Sequence, residues 1–261
     1  DAVHVQHIID AAERGADKAQ RSHHVLLADY AALTDAITAD LERGALDAEV
    51  GFGDRATTAM VGVSSPVSKA IAAVDDVFLT GATGFLGSSI LVELLRRSSC
   101  KVHCLVRASD AQAARARVRE AALRAAGPSD TMVGAAMDDG GRVIMYCGDV
   151  SAEQLGLREA QIDDIATTVC SIVHCAALVN HLKPYSAHRA ANVVGTARLI
   201  ALASRAHAAV HYVSTTAACA SSVTEAPMGK EEPSKAAADV AALRGGYAQS
   251  KAVGEVLVAS A

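Results

Sequence analysis

This 261-residue sequence is short of several things, and each shortage narrows what the protein does. No apolar run reaches the roughly 18 to 20 residues that span a bilayer, and residues 1–30 lack the basic-then-apolar order of a signal peptide. A cytoplasmic protein without a membrane partner is expected. The six cysteines (Cys100, Cys104, Cys147, Cys170, Cys175, Cys219) contain no CxxC pair and mostly fall in apolar, strand-like stretches. That pattern suits buried reduced thiols better than a disulfide framework or a zinc site, and no metal is expected. Basic residues are dispersed, the net charge is -5 and the pI is near 6.1, which removes the electrostatic case for nucleic acid or an anionic surface as partner. Proline is scarce, at five residues. What is present, 51% apolar residues, 20% charged and 19 glycines, is enough for one large core, alone or with a small appendage.

The sequence opens with DAVHV and stops at VLVASA inside a helical pattern, so it reads as a piece of a larger polypeptide. Its pattern changes near residue 75. Residues 1–75 read as a helical lead-in or linker: Leu26, Tyr30, Leu33, Ile37 and Leu41 recur at helical spacing, and Gly44 follows as a stop. A stripe of that kind needs an apolar partner, and docking on the body of the chain is expected. The stretch GFGDRATTAMVGVSSP (51–66) has the composition of a connection. Beyond it, five short runs are apolar on both faces or nearly so: VFLT (77–80), KVHCLV (101–106), RVIMYC (142–147), VCSIVHC (169–175) and VHYVS (210–214). Helical segments alternate with them. Leu86, Ile90, Leu94 and Leu95 mark one helix face, and residues 110–126 form a helix opened by a Ser109/Gln112 capping box and closed at Gly127-Pro128. A second box, Ser151/Gln154, opens the segment after the third run. The alternation predicts a doubly wound, mostly parallel α/β sheet.

Directly after the first strand comes Gly81-Ala-Thr83-Gly84-Phe85-Leu86-Gly87, leading into a helix. A tight strand-to-helix turn needs positive φ, a pyrophosphate needs backbone approach without a Cβ, and a helix N-terminus offers unpaired N–H groups and partial positive charge. The spacing is GxxGxxG, and its place between strand and helix carries the inference of a dinucleotide site. The second strand ends at Arg107, twenty residues after Gly87, where an NAD site usually carries an acidic residue for the ribose hydroxyl. A cation there favours the 2'-phosphate of NADP. Arg117 supplies a second phosphate contact or belongs to the solvated face crowded by Arg115, Arg119 and Arg124. Asp149, past the third strand, accepts from an adenine amino group or serves as a helix N-terminal carboxylate ahead of Ser151. At the exit of the fourth strand, His174-Cys-Ala176-Ala177-Leu-Val-Asn180 places small residues where a cofactor lies close to the backbone, and His174 reads as a structural histidine.

Tyr247 and Lys251 stand four apart on one helix face. A Lys cation near a Tyr stabilises phenolate, lowers the phenol pKa towards the working pH and makes it a usable general acid or base. The fifth strand runs into Ser214-Thr215-Thr216, hydroxyls that either donate to a developing oxyanion or satisfy local backbone; Thr215 is the choice for the first role.

Residues 76–261 resemble extended short-chain dehydrogenases/reductases, and among them the terminal thioester reductase domains of nonribosomal peptide and polyketide synthetases and of carboxylic acid reductases. The matching segments are VFLTGATGFLG, CLVRA, GDVS, HCAALVN, NVVGT, YVST and GGYAQSKAVGE, in family order. The resemblance implies a Rossmann-type NADP-binding domain at 76–261, a truncated reductase whose C-terminal substrate-binding part is missing, preceded by the 1–75 lead-in. It implies NADPH-dependent release of an acyl thioester from the phosphopantetheine arm of an acyl or peptidyl carrier protein in the same polypeptide, giving an aldehyde and in some relatives an alcohol. It also implies the roles: Thr215, Tyr247 and Lys251 catalytic; Gly81, Thr83, Gly84, Phe85, Leu86, Gly87, Arg107, Arg117, Asp149, Val150, Ala176, Ala177, Asn180, Asn192, Tyr247 and Lys251 around the cofactor. Thr216 and Ala252 stand where a larger aliphatic and an aromatic residue are common in such domains. Competing readings are a fatty acyl-CoA reductase, a nucleotide-sugar epimerase or dehydratase, and a non-catalytic NADP-binding or carrier-docking module.

Overall fold

The computed structural model describes residues 76–138, 141–218, 240–241, 243–259 and 261. The expected lead-in at 1–75 with its stripe from Leu26 to Leu41, and Cys219, lie outside these residues. Each of the five apolar runs forms a strand: β1 (Asp76–Thr80), β2 (Val102–Val106), β3 (Val143–Cys147), β4 (Val169–His174) and β5 (Ala209–Tyr212). All pair in parallel, in the order β3-β2-β1-β4-β5. The helices are α1 (Phe85–Arg97), α2 (Ala111–Ala126), α3 (Thr131–Asp138), α4 (Glu159–Thr168), α5 (Tyr185–Arg189), α6 (Gly195–Ala206) and α7 (Gly246–Ala259), with a π-helical turn at Ala190–Val194 joining α5 to α6.

Alternation along the strands divides the core. Val77, Leu79, Val102, Cys104 and Val143 pack with Leu91, Leu95, Val118 and Met137 of α1, α2 and α3. Phe78, Leu105 and Ile172 point the other way, onto Ile162 and Ile165 of α4 and Leu199 and Leu202 of α6. Covering both faces explains why these runs are apolar at nearly every position. A third cluster, including Tyr185, Val193, Val194, Ala248 and Val253, ties α5 and the π turn to α7. The order in which successive strands are added across the sheet reverses between β1 and β4, the switch point at which an open α/β sheet leaves a crevice beyond its strand C-termini. The five described cysteines form no disulfide with one another, and Cys100 and Cys104 are buried. No helix among the described residues is long and apolar enough to cross a membrane.

Four local expectations are corrected. Helix α2 is capped by Asp110, which accepts from the Ala113 N–H at 2.8 Å, while Ser109 donates to Asp110; a carboxylate on the positive helix end outcompetes the Ser109 hydroxyl. Ser151 opens no helix: its hydroxyl and N–H both donate to Asp149, and a short 3-10 turn runs over Glu153–Gly156. Of the face expected on α1, Leu95 is buried and Ile90 and Leu94 pack half-buried against the core, but Leu86 is largely exposed; the most buried positions are Gly87, Ser88, Leu91, Val92 and Leu95, with Gly87 seated closely on the Gly81 turn. Strand β5 is the edge of the described sheet, with Ala209 and His211 exposed instead of covered on both faces.

Candidate active site

At the end of β1 the chain turns through Gly81, whose φ is +77°, a conformation that L side chains rarely adopt. A Cβ there would also lie 2.7 Å from the Ala176 N and 2.8 Å from the Cys175 carbonyl carbon, so the glycine lets β1 and β4 exit side by side. A Cβ on Gly87 would overlap the Gly81 carbonyl. Gly84 differs: it is exposed, and the one protein atom near a Cβ there is the Gly81 oxygen at 3.3 Å. It caps α1 without any side-chain hydrogen bond, leaving the first-turn N–H groups of Phe85, Leu86 and Gly87 at an open helix end. The Phe85 and Leu86 side chains are 93% and 45% exposed, so what they can offer a phosphate is backbone. The open helix end and absent Cβ fit a pyrophosphate.

A cleft of about 410 Å³ lies beside this turn and brings together Gly81, Thr83, Gly84, Arg107, Arg117, Asp149, Val150, Ala176 and Ala177. Arg107 extends from the end of β2, and Arg117 reaches back from α2 to donate to the Arg107 carbonyl. The other arginines of α2 are engaged elsewhere. Arg115 donates to the Met137 and Val143 carbonyls, Arg119 pairs with Asp138, and Arg124 pairs with Glu120. Among these four, Arg117 is the one that lines the cleft, a distinction that the sequence spacing leaves open. Asp149 sits on the cleft wall with Oδ1 accepting from the N–H and the hydroxyl of Ser151, so it organises the turn after β3 rather than a helix start.

Two expected cofactor residues lie elsewhere. Asn180 Oδ1 accepts from the Leu182 and Lys183 N–H groups, organising the turn before α5. Asn192 is 1% exposed; its amide accepts from the Leu178 N–H at 2.7 Å and donates to the Leu178 carbonyl and the Ser250 hydroxyl. It is placed to hold the wall of the cleft against α7.

The catalytic candidates converge next to the cleft. Gly246 starts α7 in a position where a Cβ would overlap Pro184 and Tyr185, so α7 enters tightly against α5. One residue on, Tyr247 is hydrogen-bonded to Thr215, with the His181 and His188 rings 5.5 and 6.2 Å from its own. The three hydroxyls after β5 are thereby separated: Ser214 donates to Glu255, Thr215 meets Tyr247, and Thr216 is exposed. Lys251 is 2% exposed, and its Nζ stands 3.8 Å above the centre of the Tyr212 ring. Burial lowers its pKa to about 8, opposed by the charge of Glu255. The expected lowering of the Tyr247 pKa by Lys251 is corrected. Burial pushes that phenol up, Thr215 pulls it partly back, and the ammonium is directed at Tyr212 instead. Cys175, which lines the cleft and feels the Lys251 charge, joins the two halves.

Beneath them lies a hydrogen-bond chain in which sequence reasoning gives Thr80 and Thr196 no role. Ala176 N–H donates to Thr80 Oγ1 at 3.1 Å, which lies 2.7 Å from His174 Nδ1; His174 Nε2 lies 3.2 Å from Thr196 Oγ1, which donates to the Asn192 carbonyl at 2.7 Å. The sense that satisfies every hydrogen is Thr80 donating to Nδ1 and Nε2–H donating to Thr196. His174 is therefore the neutral structural histidine expected, its pKa lowered to about 3 by burial and then by Lys251.

With this geometry in place, comparison with known proteins defines the class. The NAD-binding family described as male sterility protein matches residues 79–261, and the chain belongs to it. A linear gramicidin synthase polypeptide of Brevibacillus parabrevis is 39% identical over 182 residues, covering 69% of this chain and 3% of that protein. L-2-aminoadipate reductase of Saccharomyces cerevisiae is 34% identical over 197 residues, covering 70% and 14%. The terminal R domain of the myxalamid PKS-NRPS pathway superposes with a TM-score of 0.67 at 36% identity over 87% of this chain and 52% of that one. A reductase domain of a nonribosomal peptide synthetase from Mycobacterium tuberculosis gives 0.62 at 28% identity, covering 82% and 49%. The chain is thus homologous to the terminal reductase domains of nonribosomal peptide synthetases and to extended short-chain dehydrogenases/reductases. It spans about half of those reductase domains and a small part of the curated relatives.

Proposed function

We propose that this chain carries the cofactor half and the acid-base group of an NADPH-dependent reductase that releases a carrier-bound acyl thioester as an aldehyde. The observation that carries the reading is the placement of Arg107 and Arg117 together on the cleft that the glycine turn opens, with Thr215, Tyr247 and Lys251 beside it. Two guanidiniums suit a 2'-phosphate, whereas the ribose hydroxyl of NAD needs an acceptor there. The α1 N-terminus would hold the pyrophosphate and Asp149 the adenine edge. A reduced nicotinamide bound in this cleft supplies the hydride that adds to the thioester carbonyl carbon.

Thr215 and Tyr247 hydrogen-bond the carbonyl oxygen as negative charge grows on it, and the Tyr247 phenol transfers its proton to that oxygen. The resulting hemithioacetal loses its hydroxyl proton as the C–S bond breaks, giving the aldehyde and the phosphopantetheine thiol. The protonated Lys251, one turn along α7 from Tyr247, holds the ribose. The partner is an acyl or peptidyl carrier protein, in keeping with relatives that are parts of peptide synthetases.

The test is single-turnover oxidation of NADPH by the parent protein with one acyl group presented either on a phosphopantetheine carrier or as its CoA thioester. Aldehyde formed faster from the carrier is expected. Preference for the CoA ester would convert the reading to an acyl-CoA reductase, and equal rates with NADH would remove the role of Arg107 and Arg117.

A further inference from the structure

Lys251 is a buried cation whose nearest described feature is an aromatic face. Tyr212, from β5, lies under the ammonium at 3.8 Å from ring centroid to Nζ, and its own hydroxyl donates to the Lys251 carbonyl at 3.3 Å. The ring is fixed from two sides. It meets the His174 imidazole at 5.6 Å between centroids, and its hydroxyl fills the space on α7 that only a glycine, Gly254, leaves open. A Cβ on Gly254 would overlap the Tyr212 hydroxyl. The groups that act on the ammonium are His174 and Cys175 from β4 and its exit, Tyr212 from β5, and Glu255 from α7 itself. His174 is held neutral by its hydrogen bonds and burial, and Glu255 is engaged by the Ser214 hydroxyl. The negative charge of Glu255 favours the charged amine, and the Tyr212 ring face, 3.8 Å from Nζ, adds to that by direct contact.

We propose that Tyr212 is a positioning residue of the acid-base site: its ring face seats the Lys251 ammonium and keeps it charged at a depth where burial favours the neutral amine. The inference rests on the reading that Lys251 serves Tyr247 and the cofactor. It explains why an aromatic residue two positions before the Ser214-Thr215 pair faces a helix that gives up a side chain at Gly254 to admit it. The hydroxyl and the ring have separate tasks: the first anchors the ring to α7, the second carries the charge.

The experiment is competitive acylation of the 261-residue chain with acetic anhydride across pH, with the Lys251 peptide followed by mass spectrometry and no cofactor present. Tyr212→Phe keeps the ring face, so the Lys251 titration midpoint should stay where the wild type has it. Tyr212→Leu and Tyr212→Met remove the ring and should lower the midpoint by about one pH unit, the equivalent of a desolvated cation–π contact. Gly254→Ala, which displaces the ring without changing it, should lower the midpoint as well and serves if the first two fail to fold. A wild-type midpoint in any folded ring-less variant, or a Phe variant that moves as far as the Leu variant, overturns the proposal. Because no cofactor enters the titration, failure of the wild type to bind NADPH counts against the proposed function alone.

Discussion

Replacing Lys251 with methionine should stabilise the protein while destroying its chemistry. The ammonium is 2% exposed, and its pKa falls from the usual 10.5 to about 8, with burial as the leading cause. That fall corresponds to about 3 kcal/mol favouring the neutral amine over the charged one, all of it borne by the folded state below pH 8. Methionine has a similar reach and lays a thioether against the Tyr212 ring without a charge to desolvate. At pH 7 the variant should therefore gain on the order of 3 kcal/mol, a rise in Tm of roughly 6 to 12 °C for a chain of this size. The sign has a pH signature. Between pH 8 and 10.5 the unfolded chain still holds the Lys251 proton that the folded protein has released, so wild-type stability rises relative to the variant as pH increases through that window. Urea unfolding of both proteins at pH 7, 9 and 10.5 is the assay, since cysteine and tyrosine titrations common to both cancel in the difference. A variant no more stable than wild type at pH 7, or a difference that does not shrink by pH 10.5, refutes the reasoning.

Arg107→Glu should weaken NADPH binding roughly tenfold to a hundredfold, the range for removing one charge-assisted hydrogen bond, and leave NADH nearly untouched; fluorescence titration of both nucleotides checks it. Tyr247→Phe should cut turnover by about 10² to 10⁴ with NADPH affinity unchanged, because the transferable proton is lost and the ring contacts with His181 and His188 are kept; single-turnover kinetics beside a binding titration separates the two. His174, with a pKa of about 3 in the fold against 6.5 free, binds its proton more readily in the unfolded chain, so its contribution to stability is full above pH 6.5 and is lost as pH falls towards 3. His174→Gln should remove that dependence, seen as a flatter acid limb in thermal melts between pH 6.5 and 4.

How much of this is legible in the sequence follows from how far apart the cooperating residues lie. The strands are readable because burial on both faces makes each run apolar without help from distant partners. The glycine turn and Arg107 are readable because their roles are set by position along one strand-turn-helix unit. The start of α2 is misread by a residue because Asp110 and Ser109 are both good caps, and only the geometry of the first turn decides between them. The face of α1 is read correctly at Ile90, Leu94 and Leu95 and misread at Leu86, because the first turn is set by the contact between Gly87 and Gly81 rather than by hydrophobicity. The pairing of Tyr212 with Lys251 and of Ser214 with Glu255 crosses from β5 to α7. A strand repeat of two, matched to a helix repeat of four, allows the pairing, but nothing in the sequence says that these two elements touch.

The same limit explains Asn192, which sequence motifs place near the cofactor and the fold places between the two halves of the site. The cleft wall around Ala176, Ala177 and Leu178 comes from the exit of β4, whereas Tyr247 and Lys251 come from α7, and no strand pairing links the two. One buried amide does. Asn192 binds both backbone polar groups of Leu178 and the Ser250 hydroxyl, and it can face both because it lies in the π-helical turn at Ala190–Val194, where the wider backbone turn interrupts the ordinary helix register. Ser250 in turn donates to the Tyr247 carbonyl, so the amide reaches the backbone of Tyr247 itself. Chemistry that tolerates misplacement of an ångström only with large losses needs such a brace between the surface that would hold the cofactor and the helix that supplies the proton. The asparagine thus fixes the distance between the exit of β4 and α7.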